Sequence, residues 1–209
     1  MGNKMPVAKE FKALLDDINI NKKHKTLLLH SCCAPCSSYV LEYINPYFEI
    51  YDYYYNPNIT EQEEYYKRTN ELKRLIDSMP KVNPIHYIEG EYDDSLFFQK
   101  VKGYEECKER GERCLICFEM RLREAALKCK ELNLDYFTTT LTISPLKDAD
   151  IINSIGDRIG RELGVNYLPS DFKKNNGYLR SIELSKEYNL YRQSYCGCIF
   201  SKRDARKES

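Results

Sequence analysis

The sequence predicts an α/β protein with a parallel sheet, and three observations support that fold class. Short apolar or β-branched segments alternate with longer amphipathic segments along most of the chain. This alternation is typical of β-α-β units, in which a helix carries the chain back so that the next strand runs parallel to the last. A length of 209 residues suits one domain with a substantial core, and neither an internal repeat nor a long linker interrupts the pattern.

Five strands are predicted from short apolar runs. The run at 25–30 ends at small residues, as expected of a strand that is buried on both faces of a parallel sheet. The run at 48–55 is β-rich and is closed by turn residues at 56–58. Three further strands are predicted at 85–88, at 136–142, which is rich in β-branched residues, and at 165–168.

Helices are predicted before, between and after these strands. Their segments are 8–18, a stretch from Ser37 onward, Thr60 to about Ser78, 94–101, 118–131, 148–163 and 177–188. Thr60 with Glu63 resembles a capping box, which would satisfy free backbone N–H groups at the start of the long charged helix. The charged run from 61 to 74 within this helix is interpreted as a solvated face.

Seven of the nine cysteines lie in three tight clusters. Isolated cysteines pack as small hydrophobic residues, whereas close groups bring thiolates within reach of a shared metal or of one another. The first cluster directly follows the first predicted strand, at the sheet edge where parallel α/β proteins bind ligands. The sequence therefore predicts a metal or redox centre at that edge, built from Cys32, Cys33 and Cys36, Cys114 and Cys117, and Cys196 and Cys198.

Four of these cysteines suffice for one metal centre. Cys32, Cys33, Cys114 and Cys117 provide four thiolates, which either an iron–sulfur cluster or a zinc ion accepts, and their spacing leaves both open. Both pairs are predicted at helix N-termini, where the helix dipole and free N–H groups stabilise negative sulfur. Cys36 is open to three roles: ligand to a second metal, ligand to the same cluster, or buried neighbour.

Cys196 and Cys198 differ from the other cysteines because only one residue separates them. A disulfide between them would close a small strained ring, and strained exposed disulfides tend to be labile and redox-active. Gly197 suits the backbone distortion that such a ring requires. The alternative is that the two cysteines are further metal ligands. Of the remaining candidates, Cys129 is predicted in the core, Cys107 at the surface, and His30 as a hydrogen-bonded structural residue.

Charge and targeting signals limit the classes of partner. Lys plus Arg and Asp plus Glu both number 32, so bulk charge does not demand a nucleic acid or a membrane. The N-terminus lacks the apolar core of a signal peptide, and no apolar run is long enough to span a bilayer, so a cytoplasmic protein is expected. Basic residues near the last cysteine pair could nevertheless hold RNA phosphates while neighbouring tyrosines stack on bases; they are Lys173, Lys174, Arg180, Arg192 and the 202–207 run, beside Tyr178, Tyr191 and Tyr195.

Six motifs occur in a fixed order between about His30 and Ser201, namely HSCCAPC, YYYNPNI, ERCLICFEMRL, TTTLTISP, DFKK and YRQSYCGCIFS. In this combination the chain resembles the cobalamin-independent epoxyqueuosine reductases, the QueH family. The resemblance implies a cytoplasmic oxidoreductase that removes the epoxide oxygen of epoxyqueuosine at the wobble position of tRNA, the last step of queuosine biosynthesis. It also implies a three-layer fold of the nucleotide α-hydrolase type, similar to a Rossmann fold, with cysteine-bearing loops at the C-terminal edge of the sheet.

The resemblance also implies roles for individual residues. Cys32, Cys33, Cys114 and Cys117 would hold a [4Fe-4S] cluster, and Cys196 with Cys198 would be the redox-active pair. Some members of the family carry Asp in place of Cys36, which suits a ligand to a second, mononuclear iron. Asp171 is the candidate proton donor or iron ligand, and Thr139, Thr140 and Ser144 are expected to line the pocket.

Further expectations concern the domain bounds, the partners and two alternative functions. Residues 1–24 are expected to form a helical extension, 25–201 a single α/β catalytic domain, and 202–209 a basic tail. The substrate partner is tRNA carrying epoxyqueuosine, and the physiological electron donor is not identified by the sequence. Two other functions stay open: an ATP-dependent tRNA sulfur transferase, although no SGGKDS-like phosphate loop is present, and a zinc-stabilised RNA-binding module.

Overall fold

A five-stranded parallel sheet runs through the described part of the chain, residues 7–21 and 24–207 of a computed structural model. Its strands are β1 Thr26–His30, β2 Glu49–Tyr54, β3 Ile85–Glu89, β4 Tyr136–Thr139 and β5 Asn166–Tyr167. Their spatial order is β3-β2-β1-β4-β5, and each neighbouring pair is parallel. The strand order reverses between β1 and β4, so the carboxyl ends of these two strands flank the crevice where such sheets bind ligands.

Helices cover both faces of the sheet. They are α1 Val7–Asn21, α2 Ala34–Ile44, α3 Gln62–Ser78, α4 Asp94–Lys100, α5 Glu112–Glu131, α6 Ala149–Leu163, α7 Gly177–Glu187 and α8 Ile199–Lys207, with a 3₁₀ turn at Thr140–Ile143. None of the described helices is both long and apolar enough to cross a membrane.

The side chains of β1 show how the layers form. Leu27 and Leu29 enter the core beneath α1, α2 and α3, whereas Leu28 enters the core beneath α5 and α6. All three are fully buried, because successive side chains of a strand point to opposite faces and both faces are covered. The predicted three-layer α/β fold with a parallel sheet is therefore confirmed.

The two ends of the described chain are helical and packed. Helix α1 overlaps the predicted helix at 8–18, and its Phe11 ring lies 6.0 Å from Tyr43 and 5.9 Å from Phe172 between ring centroids. At the other end, α8 spans the predicted boundary between 201 and 202, and Phe200 lies 6.3 Å from the ring of Phe97. Parts of the predicted extension and tail, at 1–6, 22–23 and 208–209, lie outside the described residues.

The predicted starts of three helices were wrong. The capping box is absent, since α3 begins at Gln62 after Glu61, which makes no side-chain cap hydrogen bond. The helix predicted from Ser37 begins at Ala34, with a proline in its first turn, so Cys36 lies on the helix. The helix predicted from 118 begins at Glu112.

The fourth strand is shorter than predicted because threonine side chains redirect the chain. It ends at Thr139, whose hydroxyl accepts a hydrogen bond from the N–H of Leu141 at 3.1 Å. This contact caps the 3₁₀ turn at Thr140–Ile143, which replaces the predicted end of the strand. Thr140 thereby arrives beside the loop that follows β1.

Candidate metal and redox site

The first cysteine cluster forms a compact triad. The sulfur atoms of Cys32, Cys33 and Cys36 all lie within 4.8 Å of one another, and those of Cys32 and Cys33 are 3.8 Å apart. Among the described residues, these three cysteines form the group of His, Cys, Asp or Glu side chains whose ligand atoms lie close enough together to hold a metal ion. A tetrahedral ion with bonds of about 2.3 Å to sulfur holds its sulfurs at about this separation. The triad therefore fits a thiolate-bound metal centre.

The turn between β1 and α2 places these sulfurs. Cys33 is the extended N-cap residue of α2, and Pro35 sits in the first turn, where a missing N–H costs nothing. Across the sheet, the Thr140 side-chain oxygen accepts the N–H of Cys32 at 3.1 Å, and its hydroxyl donates to the Cys32 sulfur at 3.3 Å. The switch point between β1 and β4 thus holds the triad from both strands.

A buried polar network supports the triad from below. The Ser31 hydroxyl donates to Asp52 at 2.9 Å and accepts from the Ser37 hydroxyl at 3.0 Å, while the Asn56 amide donates to the Ser31 carbonyl at 2.9 Å. Asp52 is fully buried, and burial raises the pKa of its carboxyl to about 7. The network orders the loop that carries the triad, and its side chains line neither of the two cavities described below.

The triad shares protons unequally. Hydrogen bonds from the thiols of Cys33 and Cys36, aided by the cations Arg121 and Lys147, lower the pKa of Cys32 well below its ordinary value. The bond to Cys32 raises the pKa of Cys33 to about 12, and bonds to Cys32 and Cys33 raise that of Cys36. Cys32 therefore gives up its proton more readily than Cys33 or Cys36, and a metal must displace protons from these two thiols as it binds.

The second cysteine pair lies on the first two turns of α5. The Cys114 sulfur accepts the N–H of Arg110 at 3.2 Å, and Cys117 is buried, which raises the pKa of its thiol to about 12. Neither sulfur belongs to the compact triad. Of the predicted four-cysteine set, Cys32 and Cys33 belong to the triad found among the described residues, and Cys114 and Cys117 do not.

A buried guanidinium links these two groups. Arg121 is 1 % exposed and donates to the side-chain oxygen of Asn56. Burial opposes its charge, yet the proximity of the Cys117 and Cys32 sulfurs raises the pKa of Arg121 above its ordinary value. Cys32, in the loop after β1, and Cys117, on α5, thus both lie near this cation. Sequence reasoning missed Arg121, although its position four residues after Cys117 on the same helix was the available signal.

The third pair lies between α7 and α8. The N–H of Cys196 donates to the Ser201 hydroxyl at 3.0 Å, and the Cys198 sulfur accepts the N–H of Ser201 at 3.3 Å. Both cysteines are free thiols in the structure, and burial raises the pKa of Cys198 to about 11. Gly197 has φ of +135°, and a Cβ atom there would lie 2.8 Å from Ile59, so both conformation and space require glycine.

Two adjoining cavities place the clusters relative to one another. A cavity of about 950 Å³ is lined by Cys32, Cys36 and Cys196, and a second of about 400 Å³ by Cys114 and Cys196. Cys196 borders both, so the redox candidate lies between the triad and the α5 pair. Lys147, which sequence reasoning also missed, borders both cavities as well.

The larger cavity is rich in cations and tyrosines. Arg68, Arg121, Lys147 and Arg192 line it together with Tyr178, Tyr195 and the predicted Ser144. Tyr191, the third predicted tyrosine, is instead bonded through its hydroxyl to Glu64 and lies under the Lys67 ammonium at 3.5 Å. The cavity therefore offers positive charge and aromatic surface to a negatively charged, base-containing ligand.

Several other predictions concern single residues. His30 is buried and bonded through its ring to Thr139 at 2.8 Å and to the Tyr55 carbonyl at 3.1 Å, and Cys129 is buried in the core, so both structural interpretations are confirmed. Cys107 is half-buried and lines the larger cavity.

Asp171 lies in an ion pair beside the cavity wall. Its carboxylate is 2.8 Å from the ammonium of Lys173 and 3.5 Å from that of Lys174, and it is not among the residues that line either cavity. Lys173 also donates to the Lys147 carbonyl at 3.4 Å. Its role as a proton donor or iron ligand stays a prediction.

The charged run on α3 is a solvated face only in part, since Glu63 and Lys67 are exposed but other charged members are not. Arg68 is 1 % exposed, and the side chain of its partner Glu64 is 11 % exposed. Glu71 accepts the N–H of Tyr191 at 2.6 Å. These residues recur at helical spacing and bind the chain segment that carries Cys196, which a single sequence could not reveal.

Fold and site together define a parallel α/β protein with a thiolate centre that opens into a cationic cavity. Residues 27–204 match the model of the family described as epoxyqueuosine reductase QueH. The chain belongs to this family, as predicted from its motifs.

Relatives of that name align with most of the chain. The chain is 42% identical to epoxyqueuosine reductase QueH of Streptococcus pyogenes serotype M1 over 178 residues, covering 84% of this chain and 70% of that protein. Identity to the Staphylococcus epidermidis (strain ATCC 12228 / FDA PCI 1200) protein is 45% over 179 residues, covering 84% and 75%. Identity to the Thermotoga maritima protein is 32% over 189 residues, covering 88% and 93%.

Proposed function

We propose that this protein is an epoxyqueuosine reductase, an oxidoreductase that removes the epoxide oxygen of epoxyqueuosine in tRNA to leave queuosine. The observation that carries the proposal is the cysteine triad opening into the same cavity as Cys196, on a chain that matches the family over residues 27–204. Such an enzyme works where tRNA is modified, so a cytoplasmic location is proposed with it.

The reaction needs two electrons and two protons. Both carbon–oxygen bonds of the epoxide break, a carbon–carbon double bond forms, and the oxygen leaves as water. Cys196 and Cys198 can supply the balance, because two thiols that become one disulfide release two electrons and two protons. A dithiol reductant then restores the pair, and the physiological donor is left open.

A metal centre is proposed beside this pair. Cys32, Cys33, Cys114 and Cys117 would hold a [4Fe-4S] cluster, and Cys36 would bind a second iron. Support comes from the compact triad, from the proximity of both Cys117 and Cys32 to Arg121, and from the family resemblance. When bound, such a centre supplies one-electron transfer and a Lewis acid for the epoxide oxygen.

The protein's own residues would bind and orient the substrate. Arg192 and Lys147 are suited to phosphate oxygens of the anticodon loop, and Tyr178, which is 36 % exposed, to stacking on an unpaired base. A flipped-out nucleoside that enters this cavity would lie next to Cys196. Asp171 is retained as the proposed proton donor.

The deciding experiment uses anaerobically purified protein, tRNA that carries epoxyqueuosine, and dithiothreitol. Nucleosides from the digested tRNA should lose the mass of one oxygen atom, and the protein should contain iron and acid-labile sulfide. Zinc without iron, together with unchanged nucleosides, would overturn the enzyme proposal and favour a zinc-stabilised RNA-binding module.

A further inference from the structure

One face of α3 holds the segment 188–202, here called the cysteine-pair segment because it carries Cys196 and Cys198. The contacts recur about once per helical turn and join charged side chains to backbone and tyrosine groups. At one end, Arg74 donates to the carbonyls of Tyr188 and Asn189, and Glu71 accepts the N–H of Tyr191. In the middle, Glu64 accepts the Tyr191 hydroxyl, and Arg68 donates to the carbonyls of Tyr195 and Cys196. At the other end, Glu61 accepts from the Tyr195 hydroxyl and the Lys202 ammonium.

Arg68 makes the contacts closest to the cysteines. Its Nη1 donates to the Cys196 carbonyl at 3.0 Å and its Nη2 to the Tyr195 carbonyl at 3.3 Å, while its Nε donates to Glu64 at 2.8 Å. A guanidinium presents these donors in one rigid plane, which a lysine ammonium cannot reproduce. The side chain is 1 % exposed, so its charge is retained in the interior only because these partners satisfy it.

The guanidinium also lies between the two cysteine groups. Arg68 lines the larger cavity with Cys32, Cys36 and Cys196. A Cβ atom on Gly197 would lie 3.4 Å from Nη1, so the backbone of the pair is packed directly on this side chain.

We propose that Arg68 is a positioning residue that fixes the backbone of Cys196, so that its sulfur faces the cavity shared with the triad. The inference rests on the proposed redox role of Cys196 and Cys198. Arg68 binds carbonyl groups and not the reacting atoms, so it acts through geometry. A displacement of about 1 Å at a reacting group can cost about 100-fold in rate, and a loss of that order is expected in kcat.

The test compares Arg68→Lys with Arg74→Lys in the iron-loaded full chain. Arg74 is the matched control, because it also donates to two successive carbonyls of the segment, yet its side chain is 47 % exposed and its contacts precede the cysteines by several residues. Arg68→Lys should lower kcat by about 10- to 100-fold with the KM for tRNA changed less than about threefold. Arg74→Lys should stay within about twofold of wild type.

A second readout separates positioning from general stability. The reduction potential of the Cys196–Cys198 pair, measured without tRNA in dithiothreitol buffers, should shift in Arg68→Lys and stay unchanged in Arg74→Lys, since closure of so small a ring depends on local backbone geometry. Iron content should match wild type in both. Loss of iron in Arg68→Lys would overturn the proposal by making Arg68 a support of the metal centre.

The milder Glu64→Gln variant covers the case in which Arg68→Lys does not fold. It leaves the guanidinium and its carbonyl contacts but removes the paired charge, so kcat and the potential should change in the same direction by a smaller factor. Wild-type values of both quantities in every foldable variant would refute the role of Arg68. An inactive wild-type protein would instead refute the proposed function, so the two failures are distinguishable.

Discussion

The triad and the cysteine-pair segment face one cavity, but different kinds of interaction hold them. Cys33 is the N-cap residue of α2, and the N–H of Cys32 donates to the Thr140 side chain directly after β4. A buried network of hydroxyl groups supports both residues. The segment around Cys196 has neither strand nor helix and depends on side chains of α3 that are about 128 residues away in sequence. The position of the triad thus depends on the edge of the sheet, whereas the position of Cys196 depends on side-chain contacts between segments that are distant in sequence.

The largest expected effect breaks the triad. Cys33→Ser should abolish iron binding and turnover together, because Cys33 is buried at the N-terminus of α2 and the hydroxyl that replaces its thiol is a poor iron ligand. Iron analysis and turnover of the same preparation measure both losses. Cys129→Ser, a core cysteine outside the clusters, should keep its iron; a Cys33→Ser protein with full iron content would show that the triad does not bind the metal.

The second prediction separates the two groups. Cys196→Ser should keep its iron and lose turnover by at least about 100-fold, because a single thiol at Cys198 cannot form the intramolecular disulfide. Iron content and single-turnover deoxygenation check this. Loss of iron in this variant would make Cys196 a metal ligand and merge the two regions into one centre.

A third prediction sharpens the contrast at Gly197. Gly197→Ala combines an unfavourable φ of +135° with a Cβ atom 2.8 Å from Ile59, so it should destabilise the protein by about 1–3 kcal/mol and reduce turnover. Urea unfolding and turnover are the measurements. Gly103→Ala is the matched control, since its φ is +88° with no atom within 4 Å of the added Cβ, and equal effects in both variants would exclude a packing role for Gly197.

The last prediction concerns the buried network that supports the triad. The folded-state pKa of Asp52 is raised from 3.8 to about 7 by burial, so between about pH 4 and pH 7 the folded state holds a proton that the unfolded state has lost. The contribution of Asp52 to stability is therefore complete below about pH 4 and is lost as pH rises through about 7. Asp52→Asn does not titrate, so it should be more stable than wild type at pH 8 by at most about 4 kcal/mol and show a flatter pH dependence.

Urea unfolding of wild type and Asp52→Asn at pH 5 and pH 8 checks this prediction. The difference between the two proteins should be larger at pH 8 than at pH 5. Equal differences at the two pH values would show that Asp52 does not titrate with a raised pKa in the folded protein.

Element type was predictable where local pattern decides it. The apolar run of β1 and the helical spacing around Cys129 each specified structure without reference to distant residues, and both predictions were confirmed. Boundaries were less predictable, because a single contact moves them. The bond between Thr139 and Leu141 ended β4 early, and Pro35 began α2 before Ser37.

The site was predictable to the extent that chemistry follows residue type. Cysteines at the carboxyl end of a predicted parallel strand indicated a metal centre, and the triad formed there. Arg121 and Lys147 were missed, since a single Arg or Lys on a helix or after a turn is most often at the surface. Their proximity to Cys32 depends on how α5 and the loop after β4 pack on the sheet.

The sequence by itself determined the layered α/β architecture, the family, and the three cysteine clusters, because alternation of elements and motif spacing are properties of the chain read in order. Only the tertiary structure decided that the triad is Cys32, Cys33 and Cys36, and that charged residues of α3 are buried against the cysteine-pair segment. The physical reason is that a buried ion pair and a solvated one have the same spacing in sequence, and only the packing of a distant segment removes water from one of them.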